Sequence, residues 1–450
     1  MSSARIASAA LAAPSDWFGQ PRGLTILFLT ETWDTFSFYG MRALLVLYMT
    51  KHLMMTQQAA SWIYGCYAAM VYLMPIFGGF IADRWLGRRA AVLLGGAIMA
   101  LGHFMMASES LLIPALATIA IGNGLFLPSL PSQIDSLYER DDPRRMSAYN
   151  VYYVGVNLGA FAAPIAIGTI GEVFGFHWGF AIAGIGMVVA LATYVAGRRY
   201  LPPDTPRNSP AQTAIANAAG LASALPAKPW YRHPDLVSRF SLLLTIAAVV
   251  VVFRGAYEQI GNTLALWADG NVDRTVGTSF TIPVTWFQSL NPLMVFVLTP
   301  LFVGRWTRMA AAHQEPSSGL KMALGAAIVG TAFLLISFIA NGTHQAQTPW
   351  PWLALFIVVM TAGELFILPV GLGLFGRMAP DGLGATTIAA WFSAGVLGNL
   401  FAGWLGTLWT PLGPRVFFAV IGAVALLSAL GLRSLVSRIA DMEQRAGATA

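Results

Sequence analysis

The sequence predicts an all-α polytopic membrane protein of twelve transmembrane helices in two six-helix bundles. Three observations carry that prediction: the composition, the lengths of the apolar runs and the placement of the basic residues. Of 450 residues, 56% are hydrophobic and only 10% charged, whereas soluble domains are roughly 25% charged. Mean hydropathy is +0.64. These values exclude a soluble globule and a disordered chain, and a single cysteine, Cys66, excludes a disulfide-built secreted fold. The net charge of +6 and the pI near 9.5 do not signal nucleic acid, because the basic residues fall in short clusters between apolar runs.

A helix that crosses a bilayer needs about 20 mostly apolar residues. Such runs fall at 24–50, 58–82, 90–108, 111–138, 147–170 and 177–197, and again at 239–267, 283–304, 319–340, 351–375, 384–409 and 415–437. Ahead of them, residues 1–23 read as a tail, since the Ala-rich stretch from Ala7 to Ala13 is weakly hydrophobic and ends in Pro14, Ser15 and Asp16. Residues 200–238 are rich in Pro, Ala, Asn and Ser and read as a linker between bundles at 24–199 and 239–437. Residues 438–450 read as a second tail. With the N-terminus inside, most lysines and arginines fall on the cytoplasmic side, including Arg84, Arg88, Arg89, Arg144 and Arg145. Both termini and the linker are then cytoplasmic, the layout of a two-bundle secondary transporter with its site at the midplane.

An ionisable group inside a span costs about 2.5–3.5 kcal/mol on insertion scales, so each is a functional candidate. Span one carries Glu31, Asp34 and Arg42, span seven Arg254 and Glu258, and span ten Glu364. Glu31 and Asp34 are i and i+3 and share a helical face. Like charges there repel, and a proton between them relieves the repulsion, as a proton relay requires. Arg254 and Glu258 are i and i+4, the spacing of a helical ion pair. The excess of acids suggests bound protons or a cationic group on a substrate. Plainer readings stand beside these: Glu31 or Asp34 solvated at a helix end, Arg254 with Glu258 as a structural clamp, Arg42 snorkelling outward, and His103 packed in the core.

Read in order, the segments resemble the proton-dependent oligopeptide transporter (POT) family of the major facilitator superfamily. GGFIADRWLGRR at 78–89 resembles the superfamily's loop motif, whose Asp83, Arg84, Arg88 and Arg89 brace helix ends. ETWDTFSFYGMRALLVLYM from Glu31 resembles the signature ExxERFxYYGMRALL. YNVYYVGVNLGAFAAPIAIG from Tyr149, YEQIGNTLALWA in span seven, WFQSLNPL in span eight and GELFILPVGLGL in span ten each resemble a family block. The resemblance implies proton coupling at Glu31, with Asp34 at the second acid of the signature, and a substrate carboxylate held by Arg42 beside Tyr39. It implies pocket or backbone contacts at Tyr72, Asn157 and Asn291, and a substrate amine on Glu364. It further implies that Glu258 pairs with basic residues when the outer gate closes, so Glu258 stands with Glu31 and Asp34 among the expected proton-coupling residues and with Arg42 and Arg254 in an expected gating salt bridge. Phe38 and Trp391 are candidate pocket aromatics. The departures are Asp34 for a glutamate, Thr35 for an arginine, Leu127 for the span-four lysine, and Arg254 where the family has an apolar or aromatic residue. Arg254 is therefore a candidate replacement for that lysine as partner of Glu258.

The function expected is proton-coupled symport of di-/tripeptides or peptide-like compounds by alternating access. Protons are the coupling ion, with no other cofactor and no metal. The expected partners are a small peptide or peptide-like substrate and the lipid bilayer, with no nucleic acid. The chain is expected as a monomer in a bacterial-type inner membrane. The alternative is a facilitator, or a proton antiporter or exporter, of a modified or cyclic peptide-like product. An enzyme is not expected, since no HExxH, GxSxG or cysteine cluster occurs.

Overall fold

The computed structural model describes residues 19–138, 142, 144–203, 234–340, 347–379 and 384–447. Residues 1–18 of the expected tail and 204–233 of the expected linker lie outside the described residues. The first half forms α1 (Arg22–Leu47), α2 (Gln57–Ile81), α3 (Arg88–Met105), α4 (Leu112–Ser129), α5 (Arg144–Phe174) and α6 (Phe176–Gly197). The second forms α7 (Pro234–Tyr257), α8 (Thr263–Asn271), α9 (Trp286–Ala311) and α10 (Ser318–Ile339). It continues with α11 (Trp350–Leu365), α12 (Leu368–Met378), α13 (Gly384–Gly406) and α14 (Trp409–Gly447).

Among the described residues these fourteen helices make twelve segments, consistent with the twelve spans expected, because two segments are broken. Span seven is α7 and α8 joined by a 3-10 turn over Glu258–Gly261, and span ten is α11 and α12 interrupted before Pro369. Ten of the resulting segments are long and apolar enough to cross a membrane. The other two are α1, with four charges along it, and α3, which opens on Arg88 and Arg89. Helix α14 continues through the expected C-terminal tail as far as Gly447, past a kink at Gly413 and Pro414. Two small pairings of strands join the helices of the second half. One is a hairpin of β2 (Thr275–Val276) and β3 (Phe280–Thr281); the other is a parallel pair of β1 (Val272–Asp273) and β4 (Thr348–Pro349).

Contacts divide the chain into two compact units that do not follow chain order. Unit 1 comprises Met1–Met41, Met74–Ile167 and His177–Ser209, and unit 2 comprises Arg42–Leu73, Gly168–Phe176 and Pro210–Ala450.

Within unit 1, Leu27, Val92, Met99, Phe126, Met187 and Tyr194 belong to one buried apolar cluster. Small residues set how closely its helices approach. A Cβ on Gly78 of α2 would lie 2.1 Å from the carbonyl oxygen of Gly124 in α4. One on Gly159 of α5 would lie 2.3 Å from the carbonyl oxygen of Thr32 in α1, and one on Gly155 2.9 Å from the Phe28 ring. At the end of α2, Gly87 adopts φ +77° and turns the chain into α3. Arg88 then donates to the carbonyl of Ser132 at 2.8 Å, and Arg89 to those of Arg198 and Leu201. Arg84 lies over the Phe80 ring at 5.8 Å, and Asp83 is exposed.

Within unit 2, α10 packs on α11 and α14, and α7 on α13 and α14. Phe333, Phe356, Trp267, Trp409, Phe417 and Phe418 stack through this core. The start of α2 is bound into the same unit. Gln57 donates to the Gly406 carbonyl at 2.8 Å, and Ser61 to Asn262 at 2.8 Å.

Candidate functional site

In unit 1 the candidate residues gather on α1. Glu31 is 4% exposed and Asp34 5%. The Tyr152 hydroxyl of α5 donates to Glu31 Oε2, and it is in reach because Gly155 and Gly159 seat α5 directly on the α1 backbone. Thr35, where the resemblance expects an arginine, is buried and returns its hydroxyl to the Glu31 carbonyl oxygen at 2.6 Å. One oxygen of Asp34 is buried without a hydrogen-bond partner. Among the described residues neither acid makes an ion pair. The arrangement is thus two buried carboxyls with hydroxyl neighbours and no cation, which is suited to carrying protons.

The other candidates in this unit are less concentrated. The rings of Phe38 and Tyr39 meet edge to face, centroids 5.3 Å apart. Asn157 is buried and donates to the Tyr153 carbonyl at 3.0 Å. Leu127 is half-buried in α4. His103 is fully buried, and neither ring nitrogen has a hydrogen-bond partner.

Unit 2 brings together Arg42, Tyr72, Arg254, Glu258, Asn291 and Glu364. Both oxygens of Glu258 are taken by guanidinium groups: Arg42 Nη2 donates to Oε2 at 2.6 Å and Arg254 Nη1 to Oε1 at 3.2 Å. Arg42 also donates through Nε to the Tyr64 hydroxyl at 2.7 Å. That approach needs a glycine at 261, because a Cβ there would lie 2.0 Å from the Tyr64 oxygen. Arg254 lies over the Tyr72 ring, 5.0 Å from its centroid, and its Nη1 donates to the Tyr72 hydroxyl at 3.3 Å. The spacing-based pair of Arg254 and Glu258 is therefore formed, and Arg42 joins it in place of snorkelling.

Glu364 closes α11 just before the break in span ten. It accepts a hydrogen bond from Asn291 Nδ2 at 2.6 Å and another from Tyr257. Asn291 also donates to Thr361 at 3.0 Å. Glu364 thus has only neutral donors against it, with the charges of Glu258 and Arg254 near enough to act on it. Both broken spans of the second half carry their acid at the break, where unwound backbone meets the site. Trp391 is 4% exposed and packs against Phe375, centroids 5.0 Å apart, and over Gly371. Its contacts are those of a helix interface.

Several residues of these clusters were absent from the sequence reading. Tyr152, Tyr64 and Tyr257 supply hydroxyls to Glu31, Arg42 and Glu364. Only Tyr152 had a local signal, the glycines three and seven positions after it. Glu172, near the end of α5, was also missed. It accepts from the backbone N–H groups of Val284 and Thr285, both at 2.9 Å, and from the Thr285 hydroxyl at 2.7 Å. Trp286 Nε1 donates to Thr169 at 2.7 Å alongside.

Comparison with known proteins shows what the chain is similar to. The POT family profile matches residues 89–225 and 227–413. A di-/tripeptide transporter of Lactococcus lactis subsp. lactis (strain IL1403) is 32% identical over 91% of this chain and 94% of its own length. The peptide transporter YePEPT of Yersinia enterocolitica is 32% identical over 87% of this chain and 88% of its own. Among solved structures, a peptide transporter POT in complex with sulfate superposes with a TM-score of 0.85 at 30% identity, covering 98% of this chain and 99% of that one. A POT family transporter in complex with 5-aminolevulinic acid gives 0.83 at 26%, covering 94% and 98%. With the family profile matching most of its length and a di-/tripeptide transporter 32% identical over 91% of it, this chain belongs to the POT family.

Proposed function

We propose that this chain is a proton-coupled symporter of di-/tripeptides or peptide-like compounds, working by alternating access. The observation that carries the reading is the division of labour between Arg42 and Glu364. Glu364 is a buried acid held only by neutral donors, so it can accept an ammonium group without first releasing a cation. Arg42 is a planar donor whose present partner, Glu258, is a carboxylate, so a substrate carboxylate can take its place. Together they match the two ends of a zwitterion. A solved relative in complex with 5-aminolevulinic acid, which bears an amine and a carboxylate, supports that match.

Protons enter this scheme at Glu31 and Asp34, and the substrate is held by Arg42, Tyr72, Asn291 and Glu364. Arg42 alternates between Glu258 and substrate, so that binding and gating compete for one guanidinium. The basic clusters at the Asp83 end of the helices support a cytoplasmic side for that end, the linker and both termini, and the membrane is read as a bacterial-type inner membrane. On this reading the chain works as a monomer. Protons are the only coupling species the reading needs.

The test is uptake of labelled dialanine into proteoliposomes with and without an inward proton gradient. Accumulation above equilibrium only with the gradient is the expected result. Equilibration without accumulation overturns symport, and no uptake by protein that still exchanges another ligand overturns the dipeptide substrate.

A further inference from the structure

Glu258 is held by two guanidinium groups that differ in how they are anchored. Arg42 reaches it from α1, and its side chain is 20% exposed. Arg254 reaches it from the same span, four residues back, and its side chain is 8% exposed. The Arg254 stem is wedged against α13, where a Cβ on Gly398 would come within 2.5 Å of Arg254 Cβ. Its guanidinium is held over Tyr72, and its Nε is buried without a hydrogen-bond partner. Arg42 can leave by a movement between helices. Arg254 travels with Glu258 through any rigid movement of span seven.

A buried carboxylate stripped of its only cation is costly, and it is relieved by taking up a proton. Glu258 does not face that situation when Arg42 departs, because Arg254 remains within 3.2 Å. The groups facing Glu258 are Arg42 from α1, Tyr64 and Tyr72 from α2, Arg254 and Tyr257 from α7, and Glu364 from α11. Two arginines on one glutamate leave one positive charge in surplus there, and the departure of Arg42 leaves a neutral pair.

We infer that Arg254 is a positioning residue that keeps Glu258 paired throughout the transport cycle, so that Glu258 carries no proton and the driving proton is borne by the acids of α1. The inference rests on the symport reading above. It makes Arg254 the residue that sets proton stoichiometry, since without it Glu258 becomes a further proton acceptor whenever Arg42 engages substrate.

The experiment measures the proton-to-dialanine ratio in proteoliposomes, as the proton gradient that just balances a fixed dialanine gradient at clamped membrane potential. Arg254→Met keeps an apolar stem and leaves Glu258 paired with Arg42, and its expected ratio is one proton higher than wild type. Arg254→Lys restores a cation and is expected to restore the wild-type ratio. The double variant Arg254→Met with Glu258→Gln is expected to keep the wild-type ratio, because the acid removed is not a carrier. A double-variant ratio one proton lower, or an unchanged ratio in Arg254→Met, overturns the inference. If Arg254→Met fails to reconstitute, the double variant alone decides. Wild-type vesicles that never accumulate dialanine under a gradient show instead that the symport reading itself has failed.

Discussion

Glu31 in α1 and Glu258 at the break of span seven are equally withdrawn from solvent, each 4% exposed, yet their surroundings are opposites. Glu31 has a tyrosine hydroxyl on one oxygen, a second buried acid one turn away and no cation among the described residues. Glu258 has a guanidinium on each oxygen. Removing the charge of Glu31 therefore unburdens its site, whereas removing the charge of Glu258 leaves buried Arg254 and part-buried Arg42 without the anion they share. On the proposed reading, the contrast separates an acid that exchanges protons from one that holds helices together. Burial alone does not distinguish them; the partners do.

The largest effects test that contrast directly. Glu258→Ala is expected to lower stability by about 3–5 kcal/mol, the usual result of stripping one side from a buried ion pair, whereas Glu31→Gln is expected to change it by less than about 1 kcal/mol. In transport the order reverses: Glu31→Gln abolishes gradient-driven accumulation while dialanine exchange persists. Thermal melts in detergent and paired uptake and exchange assays check both, and equal stability losses would erase the distinction. Glu364→Gln is expected to weaken free-amine ligands about tenfold, or about 1.4 kcal/mol, and N-acetylated ones much less. Competition binding with matched pairs measures this, and equal losses remove the amine role. Glu172→Ala deletes a carboxylate that accepts three hydrogen bonds near the start of α9. A loss of about 1.5–3 kcal/mol is expected, read as a lower melting temperature with the wild-type proton ratio retained. The smallest change is Tyr152→Phe, about 0.5–1.5 kcal/mol for one hydroxyl bond. It is expected to slow accumulation several-fold and leave exchange intact.

Much of this arrangement is legible in the sequence where neighbours lie along one helix. The spans emerge from apolar run length, and the pairs Glu31 with Asp34 and Arg254 with Glu258 follow from helical spacing alone. Cross-helix partners do not, because they depend on rotation and register between helices. Tyr64 meets Arg42 across 22 residues of sequence, and Arg42 meets Glu258 across 216. The resemblance supplied Arg42, Glu258 and Glu364 as residues of one system, but not Tyr64, Tyr152 and Tyr257, the tyrosines that bond to Arg42, Glu31 and Glu364. Glu172 was passed over because it follows an apolar run and looks like an ordinary polar end to it. The short strands between α8 and α9 were missed because two-residue ladders leave no periodic pattern.

The seam between α1 and α5 has a further consequence. Gly155 and Gly159 bring the two backbones too close for even a methyl group, so the helices have no clearance to slide or roll past one another. Where they touch, α1 and α5 behave as one beam, and Glu31 cannot be moved without Tyr152 moving with it. A spin label on each helix near this seam should report a fixed separation in every state of the cycle. Replacing Gly159 with alanine would drive a wedge into the beam and detune the acid without touching any group that ionises.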